Sequence, residues 1–351
     1  MAGVDVVRLE DVARAAGVSK ATASRALSRP SLVASSTRER VQQLAAEMGL
    51  NLNPAARALF TGRTGALAMI VPSLTNPYFA PILAGAQQEL ATGNGHALIA
   101  ASDGGVGEIE LAQSLLGHAD GALLIAPRAD EDDIRQLATR MPLVVIDRHV
   151  RGVPAFVADT PRGVGQLLAH LTRLGHRRFG YVGGPDGSSL DRLRIAAAKR
   201  RATTVGGSVE VVGSATPELD TGLRLAARWP FSPEVSAVVA YSSFIALGLL
   251  IGLRERGVDV PDQVSIAAVD HLAAVGGAIA ADSRAGTGAL LTSLRVPLEE
   301  LGRAAASALR TAPPPPDARV TKFRTELVEG RSTAAIARRR RRPAGRVHDS
   351  P

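Results

Sequence analysis

The sequence predicts an all-α unit followed by a large α/β region with parallel strands. Two patterns carry that expectation, and the placing of charge supports it. Leu9 to Leu27 reads as two short helical segments joined by a glycine-centred turn, and from Gly65 onward short apolar runs alternate with helical stretches. Such alternation is the signature of parallel βα units. The formal net charge of +8 gathers at the two ends: residues 1–64 carry 9 Lys/Arg against 5 Asp/Glu and residues 331–351 carry 7 against 1, leaving 25 against 27 between them. A basic head, a basic tail and a near-neutral middle point to a nucleic-acid contact at the ends and another task between.

In the first helical segment Val12, Ala13 and Ala16 share one apolar face, and Gly17 can take the positive φ that ends a helix. Val18 turns inward, and Ser19 is placed to cap a second helix whose inner side carries Ala23, Ala26 and Leu27. Lys20, Ala21, Thr22, Ser24 and Arg25 are left facing outward near a helix N-terminus. Small side chains let such a helix sink into a groove, while cations and hydroxyls reach phosphates and base edges. A third helix is expected from the Ser-x-x-Glu capping box at Ser36–Glu39, with Val41, Leu44, Ala45 and Met48 on its inner side. A solvated αα-hairpin shows the same spacing, but three helices sharing a core favour a helix-turn-helix that binds DNA.

The α/β region offers strands at Ala66–Val71, His96–Ala101, Ala122–Ala126, Leu143–Asp147, Arg178–Val182, Val209–Val212, Ala237–Ala240 and Val264–Val269. They lack clean polar alternation, as strands covered on both faces should. Helical stretches fall near Pro81–Ala91, Ile109–Leu116, Asp132–Thr139, Val164–Leu174, Ser189–Arg201, Thr221–Trp229, Phe244–Arg256 and Leu298–Leu309. Periodicity alone does not choose between one large sheet and two doubly wound halves. Pro313–Pro316 reads as a polyproline connector, and the run Arg338–Arg342 cannot bury a core.

Composition narrows the function. At 351 residues with 46% hydrophobic side chains the chain should hold two or three folded domains. With no cysteine it has no disulfide framework and no thiolate metal site. No secretory signal is evident at the start, and no uncharged apolar run reaches about 18 residues, so a cytoplasmic location without membrane contact is expected. His170, His176 and His271 have no metal-ligand spacing, and no Gly-x-Ser-x-Gly elbow is present. Gly183–Gly187 lacks the ending of a phosphate-cradling loop and reads as a turn. No enzyme activity, cofactor or metal is expected.

Asp11-Val12-Ala13, Ala16-Gly17-Val18-Ser19, Thr22, Ser24-Arg25 and Thr37-Arg38, with Asn53-Pro54-Ala55-Ala56-Arg57-Ala58-Leu59 after them, resemble the lactose-repressor (LacI-type) family of transcription regulators. The resemblance implies a helix-turn-helix domain at 1–50, a hinge at 51–64 and a two-lobed, periplasmic-binding-protein-like core at 65–330 made of two doubly wound parallel sheets. Lobe 1 would take about 65–157 and 284–295, and lobe 2 about 158–282 and 296–330, with crossovers near Phe156–Asp159, Ala281–Gly286 and Leu291–Arg295. The Arg-rich tail at 331–351 lies outside the resemblance and is expected to be disordered.

The resemblance also implies roles. Lys20, Ala21 and Arg25 would select bases, with Thr22 and Ser24 at the phosphates and Ser19 beside them on the DNA-binding face. Arg8 stands where the family has a Thr-like cap. Asn53, Ala56, Arg57 and Leu59 would form a hinge helix in the minor groove. Pro54 suits a first helical residue, and a stretch closed by Gly62 has only about two turns, too few to stand alone. The resemblance makes Leu59 the wedge between base steps. Asn76, Tyr78, Phe79, Asp147, Arg148, Arg192, Ser242 and Asp270 would line an effector cleft suited to a sugar or sugar derivative. Ser242-Ser243 replaces the family's Asn-Asp, and Val296 its glutamine. The expected protein is a DNA-binding regulator, a repressor in most of the family, acting as a homodimer on a near-palindromic operator in double-stranded DNA. A constitutive binder with a vestigial effector site and a solute-binding receptor are the alternatives. Leu59→Ala should cut operator affinity in a fluorescence-anisotropy titration and leave the dimer intact.

Overall fold

The computed structural model describes residues 7–28, 32–50, 63–102, 107–213, 215–271, 289–311 and 320–336. Three helices open the chain: α1 (Leu9–Ala15), α2 (Lys20–Ser28) and α3 (Ser35–Glu47). The predicted capping box does not form. The helix starts at Ser35 with Ala34 at its N-cap and no side-chain capping bond, so Ser36 already lies inside the first turn.

Each apolar run of the α/β region becomes a strand; the central ones are buried on both faces, the edge strands at His96–Ala101 and Ser208–Val212 only partly, and the strands divide between two sheets. The first takes β1 (Ala66–Val71), β2 (His96–Ala101), β3 (Gly121–Ile125), β4 (Leu143–Ile146) and β5 (Ala155–Ala158), with α4 (Ala80–Ala91), α5 (Glu108–Ser114) and α6 (Glu131–Ala138) between them. The second takes β6 (Arg178–Val182), β7 (Ser208–Val212), β8 (Ala237–Ala240) and β9 (Ser265–Ala268), with α7 (Thr160–Arg173), α8 (Ser189–Thr203), α9 (Leu219–Arg228) and α10 (Ser243–Glu255). The remaining elements are β10 (Thr292–Arg295), α11 (Leu298–Thr311), β11 (Val320–Phe323) and β12 (Glu326–Val328). The sheet orders are β11-β5-β4-β3-β1-β2 and β12-β10-β9-β8-β6-β7. Within the described residues all pairs are parallel except β10 with β12. Both halves therefore wind the same way, with a topological switch point beside β1 and beside β6 where such sheets bind ligands.

The chain passes between lobes after β5, as expected, and again around Val296 and between β11 and β12. The last two passages correct the predicted lobe boundaries. β10 pairs with β9 in the second sheet, whereas α11 packs on α4 and β11 pairs with β5 in the first. The segment carrying β10 thus belongs to lobe 2 and the one carrying α11 and β11 to lobe 1, the reverse of the expectation. The cause is the apolar stripe of α11: Leu301, Ala305 and Ala306 share a core with Ile82 and Ala86 of α4. The predicted crossover at Ala281–Gly286 lies outside the described residues, as does Pro313–Pro316.

The apolar segment from Phe244 to Leu253 is, as expected, a buried helix rather than a span. Ile245, Leu249 and Leu253 of α10 sit in the lobe 2 core, and no helix among the described residues is long and apolar enough to cross a membrane. α10 crosses α9 at a glycine contact: a Cβ on Gly248 would run into the Leu219 carbonyl, and one on Gly222 into that of Ile245. Gly248→Val should force the two helices apart, at about 1–3 kcal/mol for overpacking. A thermal midpoint lowered by several degrees would register it.

Candidate DNA-reading face and interlobe cleft

Small side chains let the first three helices close tightly. Val12, Ala16, Ala23, Ala26 and Val41 form their core. Gly17, at φ +65°, reverses the chain between α1 and α2. Ser19 Oγ accepts from the Thr22 N–H at 3.1 Å and lies 2.9 Å from Thr22 Oγ1, which fixes the first turn of α2 as the sequence predicted. At the start of α1 the Arg8 N–H donates to Asp11 Oδ2 at 2.9 Å, which ties the helix start to its own first turn without supplying the side-chain acceptor that a Thr-like cap would give.

With Ala23 and Ala26 pointing in, Ser19, Lys20, Ala21 and Arg25 are exposed and Thr22 and Ser24 half-buried. Lys20 Nζ donates to Glu10 Oε1 at 2.6 Å, and this bond holds the Glu10 carboxyl below its ordinary range. Both partners are exposed, so the pair is weak and an anion can displace it. Arg25 Nε donates to the Ala21 carbonyl at 3.2 Å, laying the guanidinium along the helix. Asn53, Ala56, Arg57 and Leu59 lie outside the described residues.

The lobe 1 side of the cleft starts where β1 ends. Asn76 Oδ1 accepts the Tyr78 N–H at 3.0 Å, and the Tyr78 hydroxyl donates to Asp147 Oδ2 at 2.8 Å. Asp147 follows β4 at φ +58° and accepts the Ala158 N–H on Oδ1 at 3.0 Å. Burial pushes its carboxyl up; the Ala158 and Tyr78 bonds and the charge of Arg194 pull it back part of the way. Two of the predicted cleft residues go elsewhere. Phe79 turns into the core with Ile82 and Leu298, so of the predicted pair only Tyr78 is left to face the cleft. Arg148 Nη1 donates to the Pro127 carbonyl at 3.0 Å and to that of Ala129, pinning the loop after β3.

On the lobe 2 side the predicted cation is misplaced. Arg192 is exposed, whereas Arg194 is buried. The inner face of α8 is the row Asp191, Arg194, Ala198, which helical spacing alone could have shown. Asp191 anchors the helix, accepting the Tyr181 hydroxyl at 2.7 Å and the Gly184 N–H at 2.9 Å. Arg194 Nε donates to Thr160 Oγ1 at 2.8 Å, and its guanidinium lies 5.0 Å from the Tyr241 ring centroid. Burial alone would push this guanidinium down, but Tyr241, Tyr181, Tyr78 and Asp191 hold it up, so it is a fixed cation. Its two terminal nitrogens make no hydrogen bond among the described residues.

Ser242 Oγ accepts the Ile245 N–H at 3.3 Å and caps α10. Asp270, after β9, accepts the Ser243 N–H. Burial raises the Asp270 carboxyl, against the pull of Ser243 and Arg194. Ser243 Oγ is itself buried and makes no hydrogen bond of ordinary geometry among the described residues. Val296 packs against the lobe 1 core. Among the described residues no cluster of three His, Asp or Glu side chains could hold a metal, and His176 is instead tied to Ser236 Oγ and the Ala334 carbonyl.

Comparison with known proteins bears on both sites. Residues 8–53 match the model of bacterial regulatory proteins of the lacI family, and residues 168–333 match that of the periplasmic binding protein-like domain. The maltose regulon regulatory protein MalI of Escherichia coli (strain K12) is 31% identical over 288 residues, spanning 76% of this chain and 84% of that protein. Among solved structures, the lac repressor dimer bound to operator and the anti-inducer ONPF superposes with a TM-score of 0.75 at 20% identity, covering 94% of this chain and 99% of that one. The transcriptional regulator CelR in complex with cellobiose gives 0.66 at 25% identity, covering 93% and 99%.

Replacing Arg194 tests the electrostatics of the cleft. Without it Asp147 and Asp270 lose the cation that lowers them, so their folded-state values rise further above the unfolded ones. A carboxyl raised in this way favours the folded state at low pH, and the advantage disappears as pH climbs through its folded value. Arg194→Ala should therefore lose about 3 kcal/mol or more near neutrality, with the deficit shrinking in acid. Arg192→Ala should match the wild type in thermal unfolding at every pH.

Proposed function

The chain belongs to the lacI family of bacterial regulatory proteins, and we propose that it is a repressor that binds a near-palindromic operator as a homodimer and is governed by a sugar-like effector. The observation that carries the DNA side is the Ser19-capped start of α2, which turns Lys20, Ala21 and Arg25 outward beside Ser19, Thr22 and Ser24. One such helix reaches only a few base pairs, so specific binding takes two copies on two half-sites. Arg25 suits a bidentate contact to guanine, Lys20 a base edge, and the hydroxyls the phosphates. Asn53, Ala56, Arg57 and Leu59 would complete the contact through the minor groove, with Leu59 as the wedge.

Arg194 carries the effector side. It is a buried, fixed cation whose terminal nitrogens make no hydrogen bond among the described residues, and its charge acts on carboxylates from both lobes, Asp147 and Asp270. A planar fork of this kind suits adjacent hydroxyls or a small anion. Tyr78, Asn76 and Asp147 would approach from lobe 1, and Ser242, Asp270 and the unbonded Ser243 hydroxyl from lobe 2. The names of MalI, a maltose regulon protein, and of CelR, held with cellobiose, favour a saccharide. Bound ligand would shift the lobe arrangement and with it the spacing of the two DNA-reading units, by its differential affinity for the two states.

One observation favours a second reading, a constitutive DNA binder. Asp147, Ser242 and Asp270 are all spent on internal hydrogen bonds, and Val296 offers no polar group. Calorimetry with a panel of mono- and disaccharides separates the two. Heat from a saccharide, abolished by Arg194→Ala, supports regulation; silence across the panel with intact operator binding supports the constitutive protein. On an operator selected from genomic DNA, Arg25→Ala should cost about 1–3 kcal/mol and relax the preference at one position of each half-site.

A further inference from the structure

Helices α7 and α8 pack side by side on lobe 2, and between the start of one and the end of the other lies a groove of about 460 Å³. Arg162, Arg200 and Arg201 line it, over a floor that includes Ala197 and Pro161. Among the described residues none of these arginines makes an ion pair or a side-chain hydrogen bond. Several other surface arginines, Arg135, Arg173, Arg178, Arg295, Arg303 and Arg310, each reach a carboxylate, whereas isolated ones such as Arg140 and Arg192 do not; what sets the groove apart is that three such arginines share one concavity. Asp159 is the single carboxylate in the groove, which leaves its lining at a formal charge of +2.

Two details make this cluster unfavourable for folding alone. The Arg201 Nε–H is shut off from solvent and has no partner among the described residues, a donor that costs stability while unmet. Arg162 stands in the first turn of α7, which has no acidic residue, and Asp159 at the N-cap makes no capping bond. Cations are disfavoured at that end of a helix, where free N–H groups already carry positive charge. Guanidinium forks beside a helix N-terminus are what binds phosphate, bidentately and with backbone support.

We propose that the groove is a second ligand site, separate from the interlobe cleft, for a small phosphorylated metabolite. The phosphate would sit among Arg162, Arg200 and Arg201, and the rest of the molecule on Ala197 and Pro161. The volume is within the roughly 300–1,000 Å³ of ordinary ligand pockets. The site also adjoins the cleft through the chain, because Thr160, next to Asp159, receives the hydrogen bond from Arg194. An anion that fixes the first turn of α7 against α8 therefore acts on the two helices that position the cleft cation.

Isothermal calorimetry on the full chain tests this, with ribose 5-phosphate and AMP as probes, ribose and adenosine beside them, and ionic strength held constant. At least one phosphorylated probe should bind. Arg200→Ala/Arg201→Ala should weaken it about tenfold or more, and Asp270→Asn in the cleft should leave it unchanged. Any binding of the parent compounds should not respond to the groove variant. Arg162→Ala, at an exposed side chain, repeats the test should the double variant fail to fold by circular dichroism. The proposal is overturned if neither probe binds, if binding is equal in the groove variants and the wild type, or if Asp270→Asn abolishes it. It is equally overturned if the groove variants weaken binding of random-sequence duplex instead, which would make the groove a contact for the DNA backbone.

Discussion

The charge of Arg194, shut away from water, is the constraint around which the cleft is organised. A buried guanidinium is stable only with compensation on several sides. The fold supplies it from separate elements: the Thr160 hydroxyl at the head of α7, the face of Tyr241 after β8, and carboxylates after β4, β9 and at the start of α8. These groups come from both lobes and from the passage between them. The cation therefore makes the relative placing of two sheets a matter of electrostatics as well as packing, and a ligand that engages its unbonded nitrogens acts on that placing.

The same economy of side chains appears in the packing. Aromatics form only 3% of the chain, so tight approach of backbones replaces bulk. Gly85 of α4 meets the Glu299 carbonyl ahead of Gly302 in α11, and Gly222 and Gly248 do the same between α9 and α10. In the first case the contact joins the early and late parts of lobe 1, and so sets which lobe receives the chain after β10. Lobe assignment here is decided by a helix pair, not by the strand that precedes it.

Much of this was legible in the residues, and what was not has identifiable causes. Short-range patterns transferred well: β1, β2, β6 and β8 fall where apolar runs predicted them, and the cap at Ser19 and the inward Ala23 and Ala26 follow from local spacing. Long-range pairing left no such trace. β11, reading Val-Thr-Lys-Phe at a sheet edge, and the three-residue β12 have too little apolar character to announce themselves, and so the third passage between lobes was misplaced. Arg192 and Arg194 differ by two residues on a helix, and only the inward row begun by Asp191 distinguishes them. Asp147 and Asp270 were read correctly as strand-end carboxylates, while their bonds to loop and helix amides emerge only once β5 and α10 are in place.

The bond between Lys20 and Glu10 gives the reading helix an internal rival for every phosphate it meets. Any anion that takes up Lys20 must first displace that carboxylate. The cost of freeing that lysine is the same whatever sequence lies opposite, so it lowers the attraction to nucleic acid as a whole and leaves selection to the rest of the surface.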